Sequence, residues 1–387
     1  MVEWQIIKLS EVVQINVSTY STNDKWDFVN YLDTGNIVKN TIALIQRIEL
    51  AQGEELPSRA RRKVEIGDIV YSTVRPNQLH YGFIEDTPIN FLVSTGFAVL
   101  HPIKNKIDGK FLYYLLVQQE ITEKLQSIAE QSTSAYPAIK PSDIEALDFA
   151  VPEMKVQKKI SNILSLIDKK IELNAQINHN LEEQVKAIFK SWFVDFEPFR
   201  DGKFVDSERG KIPQGWECGT LKDLLDVRYG KDHKKLADGK IPVYGSGGLM
   251  RYAEKSLYNG ESVLIPRKGT LNNVMRVSGN FWTVDTMFYS IPKKTGAVKY
   301  LYHILAGLDL ASMNSGSAVP SMTTDILNSI KIILPPDEIL SDFDRQTSDL
   351  WLLREINVKQ STKLARLRDT LLPKLMSGEI DVSEVEI

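Results

Sequence analysis

The sequence predicts an α+β protein: two globular mixed α/β domains separated by two long antiparallel coiled-coil helices, with a pseudo-twofold internal repeat. Three observations predict it. One succession of short motifs is written twice along the chain. Each copy runs into a long stretch of helical periodicity. A stretch with prolines, glycines and alternating charge joins the first copy to the second. The expected boundaries are 1–154 for the first domain, 155–197 for the first helix and 198–215 for a surface linker. The second domain then covers 216–336, the second helix 337–378, and an acidic C-terminal tail 379–387.

Taken in order, Trp4 and Leu9 return as Trp216 and Leu221, and LDTGNI (Leu32 to Ile37) returns as YGSGGL (Tyr244 to Leu249). IGDIVYSTVRPN (Ile66 to Asn77) is answered by NGESVLIPRKGT (Asn259 to Thr270), each reading as a glycine turn, a short buried strand and an arginine-bearing loop. FLYYLL (Phe111 to Leu116) is answered by the short helix YLYHIL (Tyr300 to Leu305). SAYPAIKPSDI (Ser134 to Ile144) returns as SAVPSMTTDI (Ser317 to Ile326), each followed by an apolar strand that ends at proline, Pro152 or Pro335 and Pro336.

Both halves then become helical. Ile160, Ile163, Ile167, Ile171, Leu181, Val185, Ile188 and Trp192 follow at threes and fours, with a four-residue stutter at Ile167 to Ile171. Phe343, Leu350, Leu353, Leu364, Leu367, Leu371 and Leu375 repeat the scheme. At about 1.5 Å per residue such rods span roughly 60 Å and require a partner. Antiparallel pairing of one with the other satisfies both. Asn174, Asn178 and Asn357 occupy seam positions where an apolar residue is more stable, so they are expected to fix register, with Asn174 and Asn357 meeting near mid-rod.

Composition narrows the function. The hydrophobic fraction is 43%, no segment approaches a membrane-spanning length of apolar residues, and Cys218 is the single cysteine, so a chain of the reducing cytoplasm is expected. No GxxxxGK[ST] loop is present to cradle ATP, no GxGxxG fingerprint, and no Asn-Pro-Pro-aromatic segment of the kind adenine methyltransferases use. Five scattered histidines, His80, His101, His179, His233 and His303, lack ligand spacing, so no metal site is expected. Asp143 with Glu153 and Lys155 imitates a metal-dependent nuclease pattern, but a turn cap after Pro141 and a charged first helical turn explain the same residues.

What remains is recognition. DNA sequence is read by side chains that form paired hydrogen bonds, arginine or lysine to guanine and asparagine or glutamine to adenine. The first domain offers Tyr71, Ser72, Arg75, Asn77 and Gln78 on a loop stiffened by Pro76, with Arg59, Arg61, Arg62 and Lys63 as a basic run suited to phosphates. The second offers Arg267, Lys268, Asn272 and Asn273, with Arg228, Tyr229, Lys231, His233, Lys234 and Lys235. Ordinary solvated loops are the alternative reading: recurrence in both halves favours function, yet repetition also preserves mere architecture. The Tyr244 to Gly248 loop admits a close backbone approach, though a tight turn explains it more simply.

FKSWFVDFEPFRDGKF (Phe189 to Phe204), PQGWE (Pro213 to Glu217), LLPKLMSGEIDV (Leu371 to Val382), PVYGSGGL and the RKGT loop resemble type I restriction-modification specificity subunits, across nearly the whole chain. The resemblance implies a bipartite, gapped target on double-stranded DNA, one half read by each domain, with the helices as the ruler between them. It also implies a non-catalytic chain without a cofactor of its own. Two DNA methyltransferase (modification) subunits, which carry S-adenosylmethionine, dock on the helices, and restriction subunits, where present, use ATP and magnesium. A net charge of −3 sits poorly with DNA binding by the chain alone, so partners are expected to supply phosphate contacts. The competing class is a repeat-built protein–protein interaction scaffold without sequence-specific DNA reading.

Overall fold

Repetition in the sequence returns as repetition of topology. The computed structural model describes residues 4–131, 136–313 and 321–385. The chain divides into two units, Met1–Leu173 with Lys359–Ile387, and Asn174–Val358, so the division falls inside both long helices. Ser134 and Ser317 to Pro320, the starts of the repeated SAYP and SAVP segments, lie outside the described residues.

In the first unit an antiparallel sheet runs in the order Val13–Ile15, Phe97–Pro102, Ile69–Ser72, Tyr81–Phe83. A second, mixed sheet runs Gln46–Ile48, Val29–Leu32, Phe91–Ser94, Ala60–Lys63, its middle pair parallel. Gln5–Lys8 pairs with Asp148–Val151, tying the start of the domain to its end. Ile69 to Ser72 are buried without alternation, which marks a strand covered on both faces. Against it lies the helix Gly109–Leu116, whose six residues Phe111 to Leu116 are all buried. At about 1.5–3 kcal/mol per fully buried large apolar side chain, this junction of sheet and helix contributes substantially to the unit's stability.

The second unit repeats the plan. One sheet runs Leu225–Tyr229, Met287–Pro292, Ser262–Pro266, Met275–Val277; the other runs Gly248–Ala253, Asp238–Gly245, Asn280–Thr283, Tyr258–Asn259, again with a parallel middle pair. Glu217–Thr220 with Lys331–Leu334 is the closing pair. Ser262 to Pro266 are all buried, and the helix Ala297–Ala306 packs as its counterpart did.

The long helices are Met154–Phe193 and Asp337–Met376, each of 40 residues. Within each unit their segments run antiparallel. In the first, Arg368 Nη1 donates to Asp168 Oδ1 at 2.6 Å, while Leu375 and Met376 share a core with the earlier residues Ile160 and Leu164. In the second, Arg354 pairs with Glu182, and the earlier Phe343 meets the later Phe189 with ring centroids 6.2 Å apart.

The seam departs from its apolar reading. Leu164 rather than Ile163 is fully buried, so inward positions run 160, 164, 167, 171, 174, 178, 181, 185, alternating fours and threes; the expected stutter is absent. Phe189 and Phe193 are buried where Ile188 and Trp192 are only half-buried. On the second helix Leu353 and Leu367 are exposed, and Thr347, Arg354, Ser361 and Arg368 turn inward instead. Polar side chains hold these positions because they find partners there: Thr347 Oγ1 donates to the Phe343 carbonyl at 2.8 Å, and each arginine meets a carboxylate of the other helix. Asn174 is fully buried and its Nδ2 lies 3.5 Å from the Asn357 carbonyl, while Asn357 Nδ2 donates to Asn178 Oδ1 at 3.0 Å.

The stretch after the first helix is more structured than a surface linker. Phe204–Ser207 and Gly210–Pro213 form a hairpin, and Phe193, Phe196 and Phe199 surround Trp216 with centroids 5.8, 5.5 and 5.1 Å away. The aromatic residues, not the prolines and glycines, decide its packing. At the other end Gly378 takes φ +76° against the Trp4 indole, where a Cβ would come within 2.8 Å of Nε1. Val382 is buried, and Lys159 Nζ donates to the Ser383 carbonyl at 2.5 Å, so the described part of the C-terminal segment is tied to the first unit. Among the described residues no helix is long and apolar enough to cross a membrane.

Candidate nucleic-acid interface

In the first unit the candidate loop follows the buried strand Ile69–Ser72. Ser72 is buried and its hydroxyl donates to the Val74 carbonyl at 2.9 Å, bending the chain outward. Arg75 then adopts φ +48° and Leu79 φ +60°, left-handed conformations that side chains other than glycine rarely adopt. Pro76 is buried between them, and the Arg75 amide donates to the Pro137 carbonyl at 2.9 Å, so the strained turn is held from both sides. The Arg75 guanidinium lies over the Tyr136 ring, 5.1 Å from its centroid, and Tyr136 is 61% exposed. Asn77 and Gln78 are exposed. The Asn77 amide donates to Gln126 Oε1 at 3.2 Å, and Gln78 Oε1 sits 3.2 Å from His80 Nε2.

Two expected contact residues face inward. Tyr71 is 1% exposed, stacked on Tyr81 at 5.7 Å inside the core, and Ser72 is spent on its own turn. Their strand is covered on both faces, so alternation gives no outward side chain there. The basic run is also divided. Arg59 is exposed and Arg61 half-buried; burial works against the charge of Arg62; Lys63 is paired with Asp24 at 2.5 Å and lies 5.3 Å from the Trp26 centroid. The hydrogen bond from Lys63 holds the Asp24 carboxyl below its ordinary range. Asp143 is a cap: its Oδ2 accepts the Lys140 amide at 2.7 Å.

The second unit places its loop on the same framework. The Arg267 carbonyl accepts the Met322 amide at 2.9 Å and Lys268 bridges Ser321, as the Thr73 carbonyl accepts the Ile139 amide at 2.8 Å and Val74 bridges Ala138. The Arg267 guanidinium lies over the Tyr229 ring, 5.4 Å from its centroid, with Nη1 donating to the Asp285 carbonyl at 3.1 Å. Tyr229, 51% exposed, rests edge-on against the buried Phe288 at 5.0 Å. Lys268 is exposed. Asn272 is exposed and Asn273 half-buried, and both are engaged by the protein: Asn272 donates to Asp309 Oδ1 at 3.0 Å and accepts the Ala311 amide at 2.9 Å, and Asn273 donates to the Ser246 carbonyl at 2.7 Å. Both asparagines thus fasten neighbouring turns.

Upstream, Arg228 pairs with Asp226 at 3.0 Å, while Lys231, Lys234 and Lys235 are exposed. The Lys231 carbonyl accepts Trp282 Nε1 at 2.8 Å, the His233 carbonyl accepts Arg251 at 3.3 Å, and the Lys234 amide donates to Asp232 Oδ1 at 3.0 Å. The segment is therefore fixed by its backbone and leaves lysine side chains outside. The glycines after Tyr244 make the turn between Asp238–Gly245 and Gly248–Ala253, with Gly248 at φ +113°.

Tyr136 is the residue that sequence reasoning missed. It sits in the repeated SAYP segment, and an aromatic beside a proline is the signal the sequence carries for it; the arginine it meets is brought there by folding.

The comparisons agree with this architecture. The family model described as "Type I restriction modification DNA specificity domain" matches residues 1–183 and 213–357. The type I restriction enzyme HindI specificity subunit of Haemophilus influenzae is 26% identical, covering 98% of this chain and 100% of that protein. The type I restriction enzyme MjaIX specificity subunit of Methanocaldococcus jannaschii is 27% identical, covering 99% and 95%. The crystal structure of the type I restriction-modification S subunit from M. genitalium shares the fold at TM-score 0.60, with 17% identity over 97% of this chain and 96% of that one. With both units matched, the chain belongs to the type I restriction-modification DNA specificity family.

Proposed function

We propose that this chain reads a bipartite, gapped DNA target, one half-site per unit, and performs no bond chemistry itself. The observation that carries the reading is the recurrence of one loop framework in both units, each presenting an arginine over a tyrosine ring at the mouth of a doubly covered strand. Contacts are sorted by exposure: Arg75, Asn77 and Gln78 in the first unit, with Arg267 and Lys268 in the second, are assigned to base edges. Arg59, Arg61, Lys231, Lys234 and Lys235 are assigned to phosphates.

The helices hold the half-site readers at a fixed separation and dock two DNA methyltransferase subunits, with restriction subunits where the system has them. Leu166, Leu173, Ile177, Leu352, Leu353, Ile356, Val358 and Leu367 leave apolar surface along the helices, which suits protein partners. Those partners supply the positive charge that a chain of net charge −3 lacks. Such an assembly works in the cytoplasm, where its DNA is.

Adenine-methylation mapping tests the reading, in a host carrying the chain with its methyltransferase subunit against the same host lacking the chain. A gapped two-part motif that vanishes with the chain is the expected result. Unchanged methylation favours the scaffold class. Within the motif, Arg75→Ala is expected to relax one base of one half-site by about 1–3 kcal/mol of discrimination. Equal weakening on all sequences would reassign Arg75 to a phosphate.

A further inference from the structure

We infer that Tyr136 and Tyr229 are positioning residues for base reading, each holding its arginine flat so that the guanidinium edge faces guanine. The inference rests on the proposed function and adds the means by which each half-site acquires a fixed guanine position.

Shared ancestry of the halves explains the common framework but not these pairs. By hydrogen bonding, Thr73 corresponds to Arg267 and Val74 to Lys268, so Arg75 stands two residues further along than its functional counterpart. The tyrosines do not correspond either. Tyr136 precedes the bridge residue Ala138 and its sequence counterpart is Val319, whereas Tyr229 ends the strand Leu225–Tyr229 on the far side of the domain's sequence. Two different routes arrive at one arrangement, an exposed tyrosine under a half-buried arginine beside the same bridge. Selection for the pair accounts for that; inheritance of the scaffold does not.

The chemistry fits the arrangement. An arginine side chain is long and loses much rotamer freedom when it must present two parallel N–H groups to guanine O6 and N7. Stacking on a ring restrains the guanidinium plane before DNA arrives and leaves its in-plane donors uncovered. In the second unit Tyr229 is seated on the buried Phe288, and Arg267 Nη1 donates to the Asp285 carbonyl, which ties down one end of the guanidinium. In the first, the left-handed turn at Arg75 and its amide bond to Pro137 set the backbone beside Tyr136.

The test is methylation-motif mapping of the full chain with its methyltransferase subunits, comparing wild type with Tyr136→Leu, Tyr136→Phe, Tyr229→Leu and Tyr229→Phe. Each leucine variant is expected to lose about tenfold discrimination at a single guanine of one half-site, leaving the other half-site as an internal control of folding and assembly. Each phenylalanine variant is expected to retain the wild-type motif, because the ring and not the hydroxyl does the holding. An unchanged motif in the leucine variants overturns the inference, as does equal relaxation by leucine and phenylalanine. A wild-type chain that directs no gapped motif overturns the proposed function instead.

Discussion

Where the first domain meets the helices, the contact is a hydrogen-bonded ion network; at the matching place in the second unit it is an aromatic cluster flanked by ion pairs. Tyr114 donates to Asp168 Oδ2 at 2.6 Å, and Arg368 donates to Asp168 Oδ1 at 2.6 Å and to Asp369 at 2.8 Å. The offset that aligns Phe111 with Tyr300 aligns Tyr114 with His303, and the offset of Asn174 to Asn357 aligns Asp168 with Trp351. His303 stacks on Phe189 at 5.0 Å and lies 6.2 Å from Trp351. Around Trp351 stand Arg276 at 4.7 Å and Arg354 at 5.6 Å, restrained by Glu261 and Glu355 and by Glu182.

The difference teaches that the repeat conserves the place of contact and not its chemistry. In the first unit burial raises the Tyr114 pKa, and the Asp168 charge raises it further, so the hydroxyl stays a donor. Burial opposes the charge on Arg368, but the bond and charge of Asp168 outweigh it. In the second unit burial, helped by Lys186, pushes His303 down to about 4, so its ring is neutral at physiological pH. The first junction depends on charges remaining present; the second sets such charges, the Arg276 and Arg354 pairs, beside a histidine whose charge must remain absent.

The largest expected effect comes from emptying the aromatic side. Trp351→Ala removes the ring between two arginines and leaves a cavity, and is expected to destabilise the second unit by about 3–5 kcal/mol. Urea unfolding resolved by segmental hydrogen exchange checks it, with the first unit's protection unchanged. Asp168→Ala is the matching experiment on the polar side. It strips Arg368 and Tyr114 of their shared acceptor, and because the pair is about one-third exposed we expect about 2–3 kcal/mol rather than the larger loss of a fully buried pair. A loss spread equally over both units in either variant would break the comparison.

A pH series sharpens it. The His303 pKa is depressed from its ordinary 6.5 to about 4, so the stabilisation due to its neutral ring is complete above about pH 6.5. As pH falls toward 4 the unfolded chain takes up a proton that the folded unit refuses, and about 3 kcal/mol is lost from the second unit. His303→Phe should remove that part of the slope. Tyr114, with its raised pKa, contributes no titration in this window.

Much of this was legible in the sequence because repeats and period are carried by residue identity. Trp4 and Trp216, the paired strands and the two helical stretches were read from spacing alone. The inward positions Thr347, Arg354, Ser361 and Arg368 were not, since a count of apolar residues passes over polar ones, and their partners are brought close only by folding. The same blindness placed Leu353 and Leu367 in the seam. Tyr71, Ser72, Asn272 and Asn273 have the chemistry of DNA contacts, yet burial takes the first two inward and local hydrogen bonds occupy the two asparagines, which composition does not encode. The arginines needed the converse information, which ring they rest on.

The smallest effect is expected at the point where the two repeats meet in kind, the asparagine cluster of the second unit. Asn357→Leu gains apolar burial at a position that is 7% exposed, but it removes the donor that Asn178 accepts. These terms nearly cancel, and the net change should stay within about 1 kcal/mol. The consequence lies in register. A seam of alternating fours and threes admits a shift of one helix by seven residues at the cost of mismatched ends, and a buried amide pair penalises that shift because the asparagines then lose each other as partners. Disulfide trapping between single cysteines at Glu182 and Arg354 should therefore be exclusive in the parent sequence. In Asn357→Leu, traps one heptad away should begin to compete. If the native trap stays exclusive, register is fixed without the amides, and the charged pair that the trap leaves intact, Arg368–Asp168, is what sets the helices against each other.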